Sequence, residues 1–312
     1  MTHSTVPERL SGAAAAVGFL VVGMGALGTQ DVPMKNMSAD YSVVQLLFVR
    51  SVFALLIFQL VLWALRRRTP LDTYRLGLHL FRGLVQCFAL GCYYVALSAM
   101  PLLDATAVFF TAPLLATALS VVILKERAAL GTWIAVVLGF VGAMIMVRPG
   151  GASVVQTASF FAIGSALLYA ASIVITRLLG DTESAVSTAY LTMVMYIAIS
   201  GAGVVVIDNL AHTGTSFDGV SLLRPWGTFA VEELALLAFS GGMACIGFFC
   251  LAQAYRLAAV SLLASWEYTA LLWGGLWGYF FFNEVPSLTT LLGGAIIVAS
   301  GIYVARRQSS AP

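Results

Sequence analysis

The chain contains ten runs of predominantly apolar residues, each close to the length that a helix needs to cross a bilayer. About 20 consecutive apolar residues span the hydrocarbon core, and 60% of the 312 residues are hydrophobic while only 10% are charged. A globular protein carries roughly 25% charged residues. The pattern predicts an all-α polytopic membrane protein with ten transmembrane helices, at approximately 12–31, 43–65, 76–99, 104–124, 130–147, 158–175, 189–207, 234–255, 260–282 and 288–304.

The segment 83–126 returns in a weakened form at 241–284, an offset of 158 positions. Each copy has an apolar run, a short break, and a second apolar run that ends at a glutamate. Identical residues at this offset include the pairs Gly83 and Gly241, Cys87 and Cys245, Thr111 and Thr269, and Glu126 and Glu284. A fixed offset of this kind indicates a duplication. We therefore predict two repeats, at 1–150 and 151–312.

Five spans per repeat is an odd number, so the second repeat is predicted to enter the membrane in the opposite sense. The charges agree with this inversion. Lys125 and Arg127 flank Glu126, whereas no cation flanks Glu284. Cations accumulate on the cytoplasmic side, so the two glutamates are expected on opposite faces. Two inverted five-helix repeats are a recurring plan of secondary transporters.

The distribution of Lys and Arg predicts the orientation of the chain. With the N-terminus in the cytoplasm, twelve cations fall at cytoplasmic ends and only Lys35, Arg148 and Arg224 fall outside, as the positive-inside rule requires. The first run has no convincing small-residue cleavage site before Gln30, so we expect an uncleaved span. We predict a multi-pass protein of the cell (inner) membrane with cytoplasmic N- and C-termini.

Several classes of function are excluded by what the sequence contains. The net charge of +2 and the lack of a basic stripe argue against nucleic-acid binding. Zinc-protease, nucleophile-elbow and phosphate-loop motifs are missing, which argues against an enzyme, a cofactor or a metal site. The four cysteines occur as pairs at i, i+5, about 140° apart on a helix, and are predicted to be small buried hydrophobes.

A charged group near the centre of a bilayer costs about 2.5–3.5 kcal/mol, so the few charges inside the runs are candidate site residues. Glu267 lies about seven residues into the ninth run and shares a helix face with Gly274 and Gly278. Glycines four apart let another helix approach closely, which places Glu267 toward the bundle interior. A substrate or proton site is favoured, and a structural carboxylate is the alternative.

Arg50 lies within the second run, and Asp31 closes the first run near the same side of the membrane. Arg50 could bind an anionic group of a substrate. Alternatively it could snorkel to the interface or pair with Asp31. His79 and Arg82 lie near the cytoplasmic end of the third run and are expected to anchor at the interface.

Aromatic residues provide further candidates. Pro113 can kink the fourth span, and broken helices are tolerated where they border a cavity. Tyr94 and Phe109 are placed to line such a cavity, with core packing as the alternative. Trp266 begins a tryptophan stripe with Trp273 and Trp277, for which packing or an interface belt is the alternative to a stacking wall.

The run YYVALSAMPLLDATAVFFTAPLLATALSVVILKE and its echo LAQAYRLAAVSLLASWEYTALLWGGLWGYFFFNEVPS resemble the drug/metabolite transporter superfamily, specifically proteins with two EamA domains. The first copy carries the family's pattern at Tyr94-x-Ala96-Leu97, Ala112-Pro113-Leu114 and Glu126, and the second at Ala254-Tyr255, Tyr268 and Glu284. Leu271 stands where the first copy has Pro113, so the two spans are not strictly equivalent. The resemblance implies secondary transport with cytoplasmic termini, for substrates that include amino acids, riboflavin, adenosylmethionine, nucleotide sugars and toxic cations.

These observations predict a gradient-driven or exchange carrier of a small polar metabolite, amino-acid-like or vitamin-like, which works by alternating access through a central cavity. The expected partners are a small-molecule substrate, a proton or counter-substrate and the lipid bilayer, and a homo-oligomer is left open. A non-transporting receptor or scaffold and a channel are the alternatives. The candidate substrate-binding residues are Glu267, Arg50, Tyr268, Trp266, Phe109, Tyr94 and Asp31.

Overall fold

The computed structural model describes residues 6–66, 73–109, 111–124, 133–134, 137–139, 141–142, 145, 153–180, 182–212, 224, 226–258, 263, 266–267 and 269–309. Within these ranges the regular structure is entirely α-helical. The helices are α1 (Val6–Met37), α2 (Val43–Ala64), α3 (Leu76–Ala99), α4 (Leu102–Phe109), α5 (Ala112–Ile123), α6 (Ser153–Leu179), α7 (Ala185–His212), α8 (Val231–Leu257), α9 (Thr269–Phe282) and α10 (Leu288–Ser309).

Six stretches are long and apolar enough to cross a membrane: Ala14–Met37, Val43–Ala64, Leu76–Ala99, Thr157–Leu179, Ala185–Asn209 and Val231–Leu257. Large apolar side chains point outward from the bundle, among them Trp63, Phe160 and Phe280, each at least two-thirds exposed. A protein surface of this kind suits lipid rather than water. The chain is therefore a polytopic membrane protein. The other four predicted spans stay predictions, and most of 130–147 lies outside the described residues.

Proline sets two of the helix boundaries. Helix α3 ends at Ala99 because Met100, which precedes Pro101, is extended, as the residue before a proline prefers. The predicted fourth span is divided in two: α4 ends at Phe109, and α5 begins at Ala112 with Pro113 in its first turn, where proline is well tolerated. The predicted break near Pro113 is thus confirmed. Phe110 and Tyr268 lie outside the described residues.

The helices pack in a small number of pairings. Helix α1 packs along α8, α3 along α6, and α2 between α7 and α8. Helix α3 also contacts α7, while α9 contacts α1 and α4. Helices on either side of residue 150 are therefore interleaved, and they surround a common interior. The cysteines at 87, 245 and 250 are buried there, in agreement with their prediction as small buried hydrophobes.

Glycines make the closest helix contacts. A Cβ on Gly241 of α8 would lie 2.8 Å from the backbone N of Ala54 and from the backbone O of Arg50 in α2. A Cβ on Gly274 of α9 would lie 3.1 Å from the Thr106 hydroxyl of α4. The predicted close approach of a helix is confirmed at Gly274, where the approaching helix is α4, whereas the close neighbour of Gly278 is the side chain of Glu284.

Candidate functional site

A cavity of about 90 Å³ lies at the centre of the bundle. Its walls come from α1, α3 and α4 on one side and from α6, α7, α8 and α9 on the other. The polar side chains at its surface are Gln30, Asp31, Gln86, Thr106 and Ser165, and the aromatic ones are Tyr93, Phe109, Tyr169, Tyr196 and Phe248. Asp31 is the one charged side chain among these described lining residues.

Asp31 projects from α1 toward α3, where two tyrosines meet its carboxylate. The Tyr94 hydroxyl donates to Oδ1 and the Tyr93 hydroxyl donates to Oδ2, each at 3.1 Å. Tyr93 also lies 3.3 Å from the Thr106 hydroxyl of α4. Asp31 is 8% exposed, and that exposed surface faces the cavity. Each carboxylate oxygen therefore has one protein donor and retains capacity for another.

Arg50 of α2 is the largest fully buried side chain, with no exposed surface. Its Nη1 donates to Gln30 Oε1 at 2.7 Å. The guanidinium carbon lies 5.7 Å from the Tyr196 ring centroid and 5.9 Å from that of Phe248, within the range of a cation–π interaction. Snorkelling to the interface is therefore wrong for Arg50. Its hydrogen bond goes to Gln30, the residue next to Asp31, rather than to Asp31 itself.

Glu267 is buried, with 1% of its surface exposed, and it accepts a hydrogen bond from the Tyr255 hydroxyl of α8. It does not reach the surface of the central cavity. Tyr255 lines a second, smaller cavity of about 20 Å³, which shares Gln86, Tyr169 and Phe248 with the central one. The predicted interior position of Glu267 is confirmed, and its hydrogen-bond partner Tyr255 lines this second cavity.

The remaining predicted site residues fall in different places. Phe109 lines the cavity with its ring 4.9 Å from that of Tyr169, and Tyr94 stands behind Asp31. Trp266 is 45% exposed on the outside of the bundle, so the structure does not bring it to the cavity. Tyr268 lies outside the described residues. Trp273 of the tryptophan stripe packs on α1, where a Cβ on Gly25 or Gly28 would lie 3.1 or 3.0 Å from its side chain.

Arg82 corrects another prediction. It is 3% exposed and does not anchor at the interface. Its Nη1 donates to Gln86 Oε1 at 2.7 Å, and its Nη2 donates to the Thr188 carbonyl at 2.8 Å and to the Thr192 hydroxyl. His79 is also buried. Arg82 turns inward because α7 packs along α3 and supplies acceptors that the sequence of α3 alone does not reveal, whereas His79 lies beside Glu183 in the loop before α7.

Residues that the sequence analysis missed are uncharged. Gln30, Gln86, Ser165, Tyr169 and Tyr196 all line the cavity. Each is a single polar side chain inside an apolar run, which is a weaker signal than a charge but the same kind of signal. A search for every hydrogen-bonding side chain in the interior of a run would have found them.

One end of the bundle is closed by a cluster around Glu284, which follows α9. Glu284 forms an ion pair with Lys35 of α1 and accepts from the backbone N of Leu102 at 2.7 Å, at the start of α4. Lys35 also donates to the Met100 carbonyl at 3.2 Å. We call this the Glu284 face. The cluster joins α1, α4 and the end of α9.

The opposite end, the Glu183 face, is closed by Glu183 in the loop between α6 and α7. Its Oε1 accepts from the Thr73 hydroxyl at 2.8 Å and from the backbone N of Tyr74 and Arg75 at 2.9 and 3.2 Å. His79 Nε2 lies 3.6 Å from Oε2. Burial raises the pKa of Glu183, but these hydrogen bonds and His79 outweigh it, and the net effect lowers the pKa.

A lowered pKa makes Glu183 a source of pH-dependent stability. A carboxyl group whose folded pKa lies below its unfolded value stabilises the fold above the unfolded pKa, and this contribution is lost as the pH falls through the folded pKa. We expect the melting temperature of the wild type to fall more steeply below pH 4.5, the ordinary glutamate value, than that of Glu183→Gln. The same dependence of melting temperature on pH in the two proteins between about pH 3 and 7, a range that includes the ordinary carboxyl pKa, would contradict this.

The fold and the cavity define a class: a polytopic helical membrane protein with a mostly apolar internal cavity that holds a few polar side chains between interleaved helices, a plan that secondary transporters use. The comparisons with known proteins agree. Residues 14–148 match the EamA-like transporter family. A solved crystal structure shares the fold, with a TM-score of 0.65 and 19% identity, over 94% of this chain and 99% of that one.

Relatives along nearly the full length carry transporter names. The S-adenosylmethionine uptake transporter of Rickettsia bellii is 26% identical over 95% of this chain and 94% of its own. The pseudopaline exporter of Pseudomonas aeruginosa is 26% identical over 88% of this chain and 90% of its own. The riboflavin transporter of Vibrio cholerae is 27% identical over 88% and 89%. The chain thus carries an EamA-like region in its first half and is similar to these transporters over most of its length.

Proposed function

We propose that the protein is a secondary transporter that moves a small polar metabolite across the cell membrane, with the central cavity as its binding site. The observation that carries this proposal is the enclosed cavity itself, which is lined by helices from both sides of residue 150 and holds the buried carboxylate of Asp31. The names of the relatives support a metabolite substrate, and an amino-acid-like or vitamin-like solute fits all three.

Alternating access is the proposed mechanism. The cavity of about 90 Å³ is smaller than the roughly 300–1,000 Å³ of ligand pockets, so a substrate enters only after one face opens. The Glu284 face and the Glu183 face are each closed by a carboxylate that binds backbone N–H groups across the interface between helices. Opening one cluster while the other stays closed would expose the cavity to one side at a time.

The helix pairings support two inverted repeats with a boundary near residue 150. An inverted repeat would match α1 with α6, α2 with α7, α3 with α8, and α4 with α9. Under this exchange the contact between α1 and α8 corresponds to the contact between α6 and α3. The exchange also turns the contact of α2 and α8 into that of α7 and α3, and leaves the pairs α2 with α7 and α4 with α9 unchanged. All of these contacts are present. The charge distribution supports an orientation with both termini in the cytoplasm.

Glu267 is proposed to take the coupling proton or a substrate cation from the smaller cavity beside Tyr255. We expect Glu267→Gln in proteoliposomes to lower uptake driven by a pH gradient at least tenfold, because the amide cannot bind and release a proton, while Glu232→Gln, at an exposed position of α8, retains uptake. Uptake of a labelled metabolite panel, with and without counterflow, measures this and separates a carrier from a channel. Unchanged uptake and pH dependence in Glu267→Gln would remove Glu267 from the mechanism.

A further inference from the structure

Two consecutive residues of α1 present opposite chemistry to the central cavity. Asp31 offers carboxylate oxygens, and Gln30 offers a side-chain amide whose oxygen is held by Arg50 at 2.7 Å. The two side chains point to different neighbours, Gln30 to α2 and Asp31 to α3. An anionic group and a guanidinium-backed amide therefore lie one residue apart at the same surface of the cavity.

The guanidinium of Arg50 has donors to spare. Its Nε and Nη2 are buried and have no hydrogen-bond partner among the described residues. A buried polar group without a partner is unfavourable, and a charged one more so. The guanidinium lies beside the rings of Tyr196 and Phe248, and both rings also line the cavity. Gln30 and these two rings are therefore neighbours of both Arg50 and the cavity.

Asp31 does not use these donors. Its two oxygens accept from Tyr93 and Tyr94, which are neutral hydroxyls, so Asp31 and Arg50 remain without direct contact. Two opposite charges held apart in a poorly solvated interior are each under-compensated. A ligand that carries a cation and an anion close together would compensate both at once, whereas a simple cation or anion would compensate one.

We propose that the cavity binds the α-amino carboxylate head group of its substrate. The ammonium group binds the Asp31 carboxylate beside Tyr93, and the carboxylate group displaces the Gln30 amide oxygen and binds Arg50. The aromatic rings of Phe109 and Tyr169 then contact the remainder of the solute. This inference rests on the proposed transport function and names the substrate class of the same site.

Binding to the purified full-length protein tests the head group directly. The probes are the twenty protein amino acids and S-adenosylmethionine, each of which has a free α-amino carboxylate, and binding is followed by thermal shift and calorimetry. We expect at least one probe to bind, and its methyl ester and its N-acetyl derivative each to bind at least tenfold more weakly. Binding by none of the probes, or equal binding of a parent and both derivatives, would overturn the proposal.

Variants assign the two ends of the head group. We expect Asp31→Asn to lose the discrimination against the N-acetyl derivative and to keep the discrimination against the ester. We expect Arg50→Gln to show the reverse pattern, and Gln30→Met, which removes the oxygen that competes for Arg50, to strengthen the discrimination against the ester. General loss of folding would weaken all probes together, so the crossed pattern is specific. If Arg50→Gln does not fold, Gln30→Met carries the test, and identical discrimination in Gln30→Met and wild type would overturn the assignment to Arg50.

The control and the transport assay keep the two proposals apart. Asp40→Asn, at an exposed position after α1, should leave both ratios unchanged. Riboflavin has no α-amino carboxylate, so uptake of riboflavin without binding of any amino-acid probe would support transport and overturn the head-group site. Binding of an amino-acid probe without uptake or counterflow would instead overturn the transport function.

Discussion

Gly241→Ala is expected to destabilise the protein substantially, whereas Gly83→Ala, at the matching position of the sequence repeat, is expected to do so much less. A Cβ on Gly241 would lie 2.8 Å from backbone atoms of α2 and 2.9 Å from Cβ of Phe53, and backbone cannot move without displacing the helix. A Cβ on Gly83 would lie 2.6 Å from Cγ and 2.7 Å from Cβ of Met195; rotation of the Met195 side chain relieves the first contact only, but neither contact involves a main-chain N or O. Overpacking costs about 1–3 kcal/mol, and we place Gly241→Ala at the upper end.

The melting temperature in detergent measures this order, and Gly91→Ala is the control. A Cβ on Gly91 meets no atom within 4 Å, and alanine is about 0.5–1 kcal/mol better than glycine inside a helix, so this variant should be at least as stable as the wild type. The clash at Gly241 involves the carbonyl of Arg50, so Gly241→Ala should also weaken ligand binding. Equal melting temperatures for the Gly241 and Gly91 variants would contradict the close approach of α2 and α8.

The positions of the long helices were predictable because residues adjacent in sequence determine where each helix begins and ends. Helix α3 begins and ends where the sequence predicts, since a charged segment precedes it and Pro101 follows it. The repeat also marked Gly83 and Gly241 as equivalent, and another helix approaches closely at each of these two positions. The shorter helices were less predictable, because the break at Pro113 divides one apolar run into two helices that are each shorter than a bilayer is thick.

The site was only partly predictable, because it depends on which helices meet. Depth within an apolar run singled out Glu267 and Arg50, and both are buried. It could not show that Asp31, at the end of its run, would line the central cavity while Glu267 would accept from Tyr255 away from that cavity. Arg82 was misplaced for the same reason: its acceptors on α7 lie more than 100 residues away, and no local pattern connects them.

Reversing either charge of the Lys35 and Glu284 pair is expected to open the Glu284 face. Glu284→Lys places two cations together and removes the acceptor of the Leu102 N–H, so we expect it to lower stability by about 3 kcal/mol, the cost of breaking a largely buried pair. Lys35→Glu leaves Leu102 capped and should cost less. Glu284→Gln keeps an acceptor for Leu102 and loses only the charge, so it should be the mildest of the three.

The double variant Lys35→Glu with Glu284→Lys distinguishes the ion pair from the helix cap. It restores opposite charges, but a lysine at 284 cannot accept from Leu102, so we expect only partial recovery of the melting temperature. A single cysteine at Ala89, which lines the cavity, reports opening in a background without the native cysteines. Labelling by a membrane-impermeant thiol reagent from the Glu284 face should follow the order of destabilisation. Complete recovery in the double variant would show that the cap on α4 contributes nothing, and unchanged labelling in Glu284→Lys would show that this cluster does not close the cavity.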